Sequence, residues 1–284
     1  MRCAIFVSTL LLAALASTPF AQDNPGQDSG LEIKTSTDMD QLFEIYKAAH
    51  GGAERFDGVN YLEFDFTPWF LDEQGERIAL PTRHIQTRFR DNANEQLQRS
   101  MRIETAFELP GENDTVRKIS VISVVTETDI NIWRKEADGE FIKSESRELK
   151  LSAVQDAKVL FAQLDMLLYL DSRDLRCTYG GVLTRDKVSY ATAEAAFRPE
   201  REVMEPVRLY FDLKTALIKR IDVFDPKTKM RVGSTLVDDY KDHEGLKFPE
   251  SISFVDRSME SLAGWDFRDV KVNPELSPET FLKP

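Results

Sequence analysis

The sequence predicts an α+β fold: one large, strongly bent antiparallel β-sheet, an open half-barrel, with helices covering its concave face. Three observations predict it. Segment after segment alternates apolar and polar residues with period two, the mark of a half-buried strand. Short polar turns join these segments, which makes a meander of antiparallel neighbours. One long stretch, "LSAVQDAKVLFAQLDMLLYLD", breaks the rhythm with helical period and is apolar over more than half its girth. A sheet of so many strands must curl. A curled sheet carrying such a helix leaves an apolar groove between the two.

Taken in order, residues 1–21 read as a secretory signal: Arg2, a short apolar core over Ala4–Ala16, then small residues up to Ala21. The core is too short to span a bilayer comfortably. Residues 22–36 read as a flexible polar leader and 37–284 as a single domain. "STDMDQLFEIYKAAHGG" predicts a helix capped by Thr37 or Asp38, with Leu42, Phe43, Ile45, Tyr46 and Ala49 as its stripe and Gly51-Gly52 as its stop. His50 then falls in the last turn, where a cation suits the helix dipole. "NYLEFDF" places Leu62, Phe64 and Phe66 on one face of a strand. "HIQTRFR", "EQLQRSMRIET", "RKISVISVVTE" and "DINIWRK" follow in the same manner, punctuated by Asp91-Asn92, Pro110-Gly111 and Asp138-Gly139.

The helix over 151–170 carries Ala157, Leu160, Phe161, Leu164, Leu167 and Leu168 on its apolar face, and Ser152, Gln155, Asp156 and Gln163 opposite. Its charges exclude a membrane span, and the rest of the mature chain holds no transmembrane segment. After it, "LRCTYGG", "KVSYATAEAAF", "EPVRLYFDL", "ALIKRIDVFD", "MRVGSTLVDDY", "LKFPESISFVD" and "AGWDFRDVKV" are strands, with "KDHEG" among the turns. Pro249 predicts a sheet edge or a bulge.

Composition narrows function by exclusion. Without Arg2, Lys+Arg falls from 37 to 36 against 49 Asp+Glu, a net charge of −13. That argues against nucleic acid and against charge-driven binding to anionic lipid. Cys177 is the one cysteine beyond the signal and reads as a small buried strand residue, since no histidine is nearby in sequence. No phosphate-cradling loop, zinc spacing or nucleophile elbow occurs. The three histidines, His50, His84 and His243, lack ligand spacing. No cofactor, metal or catalytic residue is therefore expected. His243 lies between Asp242 and Glu244 and reads as a hydrated hairpin turn whose acids raise its pKa modestly. Aromatic residues carry more: Phe alone numbers 18. Phe64, Phe66, Trp69, Trp133 and Phe211, with Leu160, Phe161, Leu164, Leu167 and Leu168 of the long helix, are the expected lining of a hydrophobic cavity.

The C-terminal third, "RLYFDLKTALIKRIDVFDPKTKMRVGSTLVDDYKDHEGLKFPESISF" and then "FRDVKVNPELSPETFLKP", resembles the LolA/LolB-like superfamily. The resemblance rests on a strand ending in Asp212, the "LKTALIKRI" and "DYKDHEGLKFPESI" hairpins, and a last strand running into Asn273, with Leu276 and Phe281 before Pro284. The opening "YKAAHGGAERFDGVNYLEFDF" looks similar to the start of uncharacterised relatives. The resemblance implies an open, bent antiparallel sheet with helices over its hollow, an exported protein of the periplasm in a Gram-negative envelope, and binding of acyl chains there. This chain is longer than the compact lipoprotein carriers, and no residue matches their functional arginine.

Three functions follow as expectations. The first is a non-enzymatic carrier or sensor of a hydrophobic ligand, such as a lipid or acyl chain, or of a lipoprotein. The second is a structural or interaction module of the envelope, partnered by an envelope protein, whose hollow is filled by its own helix. The third is a hydrolase using His243 with neighbouring acids.

Overall fold

The structure, a computed structural model, describes residues 38–89, 99–110, 116–126, 129–136, 139–168, 175–185, 187–197, 206–282 and 284. The expected signal and leader lie outside the described residues.

Two helices come first among the described residues, α1 (Met39–Ala49) and α2 (Ala53–Asp57). Asp38 caps α1, its Oδ1 accepting from the Gln41 N–H at 2.9 Å. Gly51 and Gly52 follow at φ 113° and 103°. A methyl on Gly51 would stand 1.8 Å from the Gly245 carbonyl oxygen, so this turn needs glycine for space as well as for backbone.

Strands β1 (Tyr61–Leu71), β2 (Arg77–Ala79), β3 (Arg83–Arg88), β4 (Ser100–Pro110), β5 (Val116–Thr126), β6 (Ile130–Glu136) and β7 (Ile142–Lys143) precede α3 (Arg147–Leu168). After it come β8 (Leu175–Arg185), β9 (Val188–Phe197), β10 (Val207–Asp212), β11 (Ile218–Phe224), β12 (Arg231–His243), β13 (Leu246–Val255) and β14 (Ser261–Val272). A short 3-10 helix, Pro278–Phe281, ends the fold.

All 14 described strands join one open antiparallel sheet in the order β7-β6-β5-β4-β3-β1-β14-β13-β12-β11-β10-β9-β8, with β2 beside β1. The path explains the architecture. The chain starts at the centre on β1, steps outward to β7, crosses to the opposite edge through α3, and steps back from β8 to β14. The β1–β14 ladder then closes the two halves side by side. Because α3 must connect the two edges, it lies across the concave face. Helix α1 packs on the other half of that face, approaching β8, and at its C-terminal end the His50 carbonyl accepts from the Lys247 N–H of β13 at 3.2 Å. The helices meet at the Tyr46 hydroxyl, which donates to the Leu167 carbonyl at 2.6 Å.

The sheet's alternation sorts its side chains. Leu62, Phe64 and Phe66 of β1, Ile85, Ile103, Ile132, Leu209, Phe211 and Ile221 point inward and form one core with both helices. On the outer face a second cluster gathers Ile122, Val124 and Phe281, with Tyr61, Trp133, Phe141 and Leu276 against it.

Three local expectations are corrected. Pro249 lies on a central strand, not an edge. It pairs with Tyr240 on β12, while the ladder to β14 begins only at Ser251, so no hydrogen bond is demanded of its missing N–H on that side. The "KDHEG" turn is shorter than read: β12 runs to His243, and Glu244-Gly245, both at positive φ, make a two-residue hairpin loop. The long helix begins at Arg147 rather than 151.

Candidate functional site

The hollow between the sheet and α3 is built by period. Ala153, Ala157, Leu160, Leu164, Leu167 and Leu168 recur at helical spacing on one side of α3, and all are buried. Leu164 is 1% exposed. They face the inner side chains of the sheet in the same core as Phe64, Phe66 and Phe211, with Phe161 at its margin, 6.4 Å from the Phe89 ring. Eight of the ten expected lining residues thus come together there.

Trp69 and Trp133 do not. Trp69 stands an odd number of residues from Phe66 on the same strand, so it faces outward. It lies flat over Gly264, where any side chain would collide with its ring, and carries the Arg77 guanidinium 4.3 Å above it. Trp133 neighbours the inward Ile132 and therefore sits in the outer cluster.

Sequence reasoning missed a feature of the inner face, an aromatic shelf. The Phe254 and Trp265 rings are 5.1 Å apart, and Trp265 and Phe66 are 5.5 Å apart, each edge to face. Phe66 is buried, but Trp265 and Phe254 are only half-buried. Helix α3 approaches β5 and β6, and α1 approaches β8, so the shelf occupies the part of the concave face between them. Beside it, Arg83 of β3 sits 5.5 Å from the Phe66 ring and binds Asp156 of α3 at 2.7 Å. Asp156, expected on the helix's solvated side, instead ties α3 to the sheet. The signal for the shelf was the parity of "GWDFRDV", where Trp265 and Phe267 share a face.

The histidines do not form a site. His50 is buried, ringed by Tyr46, Phe56 and Tyr240 at 4.4, 5.4 and 5.6 Å. Its Nδ1 lies 2.8 Å from the Lys247 carbonyl and so carries the proton, leaving Nε2 buried without a partner. Burial, aided by Lys247, lowers its pKa from 6.5 to about 3. The expected helix-dipole cation is therefore a neutral ring, because the last turn of α1 is packed on the sheet rather than hydrated. His243 is corrected likewise. Its pKa is lowered, since half-burial outweighs Glu250 and Asp242, and its Nε2 is buried without a partner. His84 pairs with Asp65 at 2.7 Å across β3 and β1, on the outer face. Among the described residues no group of three His, Cys, Asp or Glu side chains is placed to hold a metal ion. Cys177 is half-buried on β8 against the core. A polar depression of about 560 Å³ at the α1–α2 turn, lined by Gly51–Arg55, Gly58 and Asn273, includes none of the expected residues.

The chain matches no protein-family model and no curated protein sequence. It does match solved structures. A DUF1329 family protein from Desulfovibrio piger superposes with a TM-score of 0.53 at 11% identity, covering 85% of this chain and 96% of that one. A LolA superfamily protein from Nitrosomonas europaea gives 0.50 at 12% identity, covering 87% and 99%. The fold is LolA-like. A lipoprotein-sorting protein domain from Vibrio parahaemolyticus is also similar, at 0.48 and 10% identity, covering 85% and 95%. At such identities the likeness establishes the bent-sheet fold and leaves the chemistry to the residues of this chain.

Proposed function

We propose that this protein is a non-enzymatic, exported carrier or sensor that takes an acyl chain or similar apolar ligand into the hollow of its bent sheet. The observation that carries the reading is the Phe66–Trp265–Phe254 shelf, half-buried on the concave face and continuous with the leucine-lined core under α3. Apolar surface left between two helices on a curved sheet is where a hydrophobic guest gains most from leaving water. The solved LolA superfamily protein lends the reading a precedent by name only. Among the described residues no helix is long and apolar enough to cross a membrane. Export rests on the signal-like residues 1–21.

Uptake of a fluorescent fatty acid tests the proposal. Trp265→Ala should weaken uptake about tenfold, from the lost aromatic area, while Trp133→Ala on the outer face should leave it unchanged. Equal effects, or no uptake by the parent protein, would reject it.

A second reading is favoured by a specific observation. Leu160, Leu164, Leu167 and Leu168 are each no more than 2% exposed, so α3 itself fills the half of the hollow over β5 and β6. The protein would then be an interaction module with a self-filled hollow, and fatty-acid uptake would fail while folding stayed intact.

A further inference from the structure

An ion pair stands beside the aromatic shelf on the concave face. Arg83 of β3 lies opposite Phe66 of β1 and opposite Thr105 of β4, so the three side chains share the inner face. The guanidinium carbon of Arg83 is 5.5 Å from the Phe66 ring. Phe66, Trp265 and Phe254 continue the shelf over β1, β14 and β13. From Arg83 to Phe254 is three strand spacings, roughly 14 Å. An extended chain of about eleven carbons, at ~1.3 Å per carbon, crosses that distance.

One hydrogen bond joins the pair, from Arg83 Nη1 to Asp156 Oδ2 at 2.7 Å. Asp156 Oδ1 and the Arg83 Nε and Nη2 donors take no partner among the described residues. They are not sealed in either: the two side chains are 28% and 15% exposed, and none of these atoms is buried without a partner. The pair therefore keeps hydrogen-bonding capacity for a guest. Its net charge, however, is already zero. A charged head laid against it meets one attraction and one repulsion, and sheds its water for little return. An uncharged hydroxyl meets no such conflict. It donates to the Asp156 carboxylate and accepts from the Arg83 guanidinium, and both bonds are charge-assisted.

We propose that the guest of the hollow is a single-chain amphiphile with an uncharged, hydroxyl-bearing head, such as a monoacylglycerol, its chain along the shelf and its head at Arg83 and Asp156. The inference rests on the reading that the hollow takes an acyl chain, and adds which head that chain carries. One chain suffices, because α3 fills the hollow over β5 and β6 and leaves the shelf. Asp156 disfavours an ionised fatty acid and Arg83 a protonated amine, although either still gains from its chain.

The experiment titrates the protein with three ligands of one chain length, dodecanoate, monododecanoylglycerol and dodecylamine. Calorimetry is run near neutral pH, where the acid is ionised and the amine protonated. The glyceride should bind first, by about tenfold or more over each charged ligand. Asp156→Asn, which frees the Arg83 charge, should put dodecanoate first. Arg83→Gln, which frees the Asp156 charge, should put dodecylamine first. A pair that served only to tie α3 down would lower the unfolding temperature of both variants and leave the order of ligands alone, which would overturn the proposal. Equal binding of the three by the parent, or a charged ligand first, would overturn it too, with the apolar-guest reading left standing. Binding of none would overturn both. The order within the parent protein needs no variant to fold.

Discussion

Acid should unfold this protein through His50, and the size of the effect follows from its surroundings. In the folded chain the ring is neutral, with Nδ1–H donating to the Lys247 carbonyl and Nε2 facing no acceptor. Protonating Nε2 would bury a cation without a partner, which is why its pKa drops from 6.5 to about 3. The folded value is depressed, so between these pH values the unfolded chain binds the extra proton. Stability is therefore complete above pH 6.5 and is lost progressively as pH falls toward 3, by about 1.4 kcal/mol per unit through the middle of the window. The perturbation is His50→Asn, whose amide can donate to the Lys247 carbonyl but does not titrate. Urea unfolding of both proteins at several pH values isolates the His50 contribution, since the carboxylates, His84 and His243 are common to both. Relative to the variant, the parent should lose about 2.5 kcal/mol between roughly pH 7.5 and 4.5. Parallel stability curves over that range would refute the account of a buried neutral ring.

Other consequences are as direct. Gly51→Ala places a methyl 1.8 Å from the Gly245 oxygen at φ 113°, and should cost at least about 3 kcal/mol in chemical denaturation; a loss below about 1 kcal/mol would mean that the α1–β13 contact is not as described. Asp222→Asn strands Arg220 and Tyr210 on the outer face and should destabilise by roughly 3 kcal/mol, whereas a neutral effect would show the network to be dispensable. In that network burial alone would push the Asp222 carboxyl up, but bonds from Ser234, Arg220 and Tyr210 outweigh it and hold it low. Leu164→Ala opens a hole under α3 and should cost about 2–5 kcal/mol by calorimetry or denaturant; retention of full stability would place α3 off the sheet.

Period-two alternation and the turn residues made the strands, their antiparallel order and the long helix legible, because those signals are local. The cap at Asp38 and the stop at Gly51-Gly52 were legible for the same reason. Long-range consequences were not. Trp69 and Trp133 read as lining because they are aromatic, yet which side of a strand is inner depends on the β1–β14 ladder that closes the two halves. His50 read as a cation because its neighbours in sequence are polar or small. Its neighbours in space, Tyr240 and Lys247, come from some 190 residues onward. Trp265 belonged to the shelf by the alternation of its own strand, but only the pairing with Phe66 and Phe254 shows a shelf at all.

The central claim is that the hollow holds an apolar guest. Native mass spectrometry of the protein purified from its own compartment tests it most directly. The account predicts a bound species of acyl-chain composition, released on unfolding and displaced by a fluorescent fatty acid. Protein that is consistently empty, and that takes up no fatty acid while folded, would contradict it.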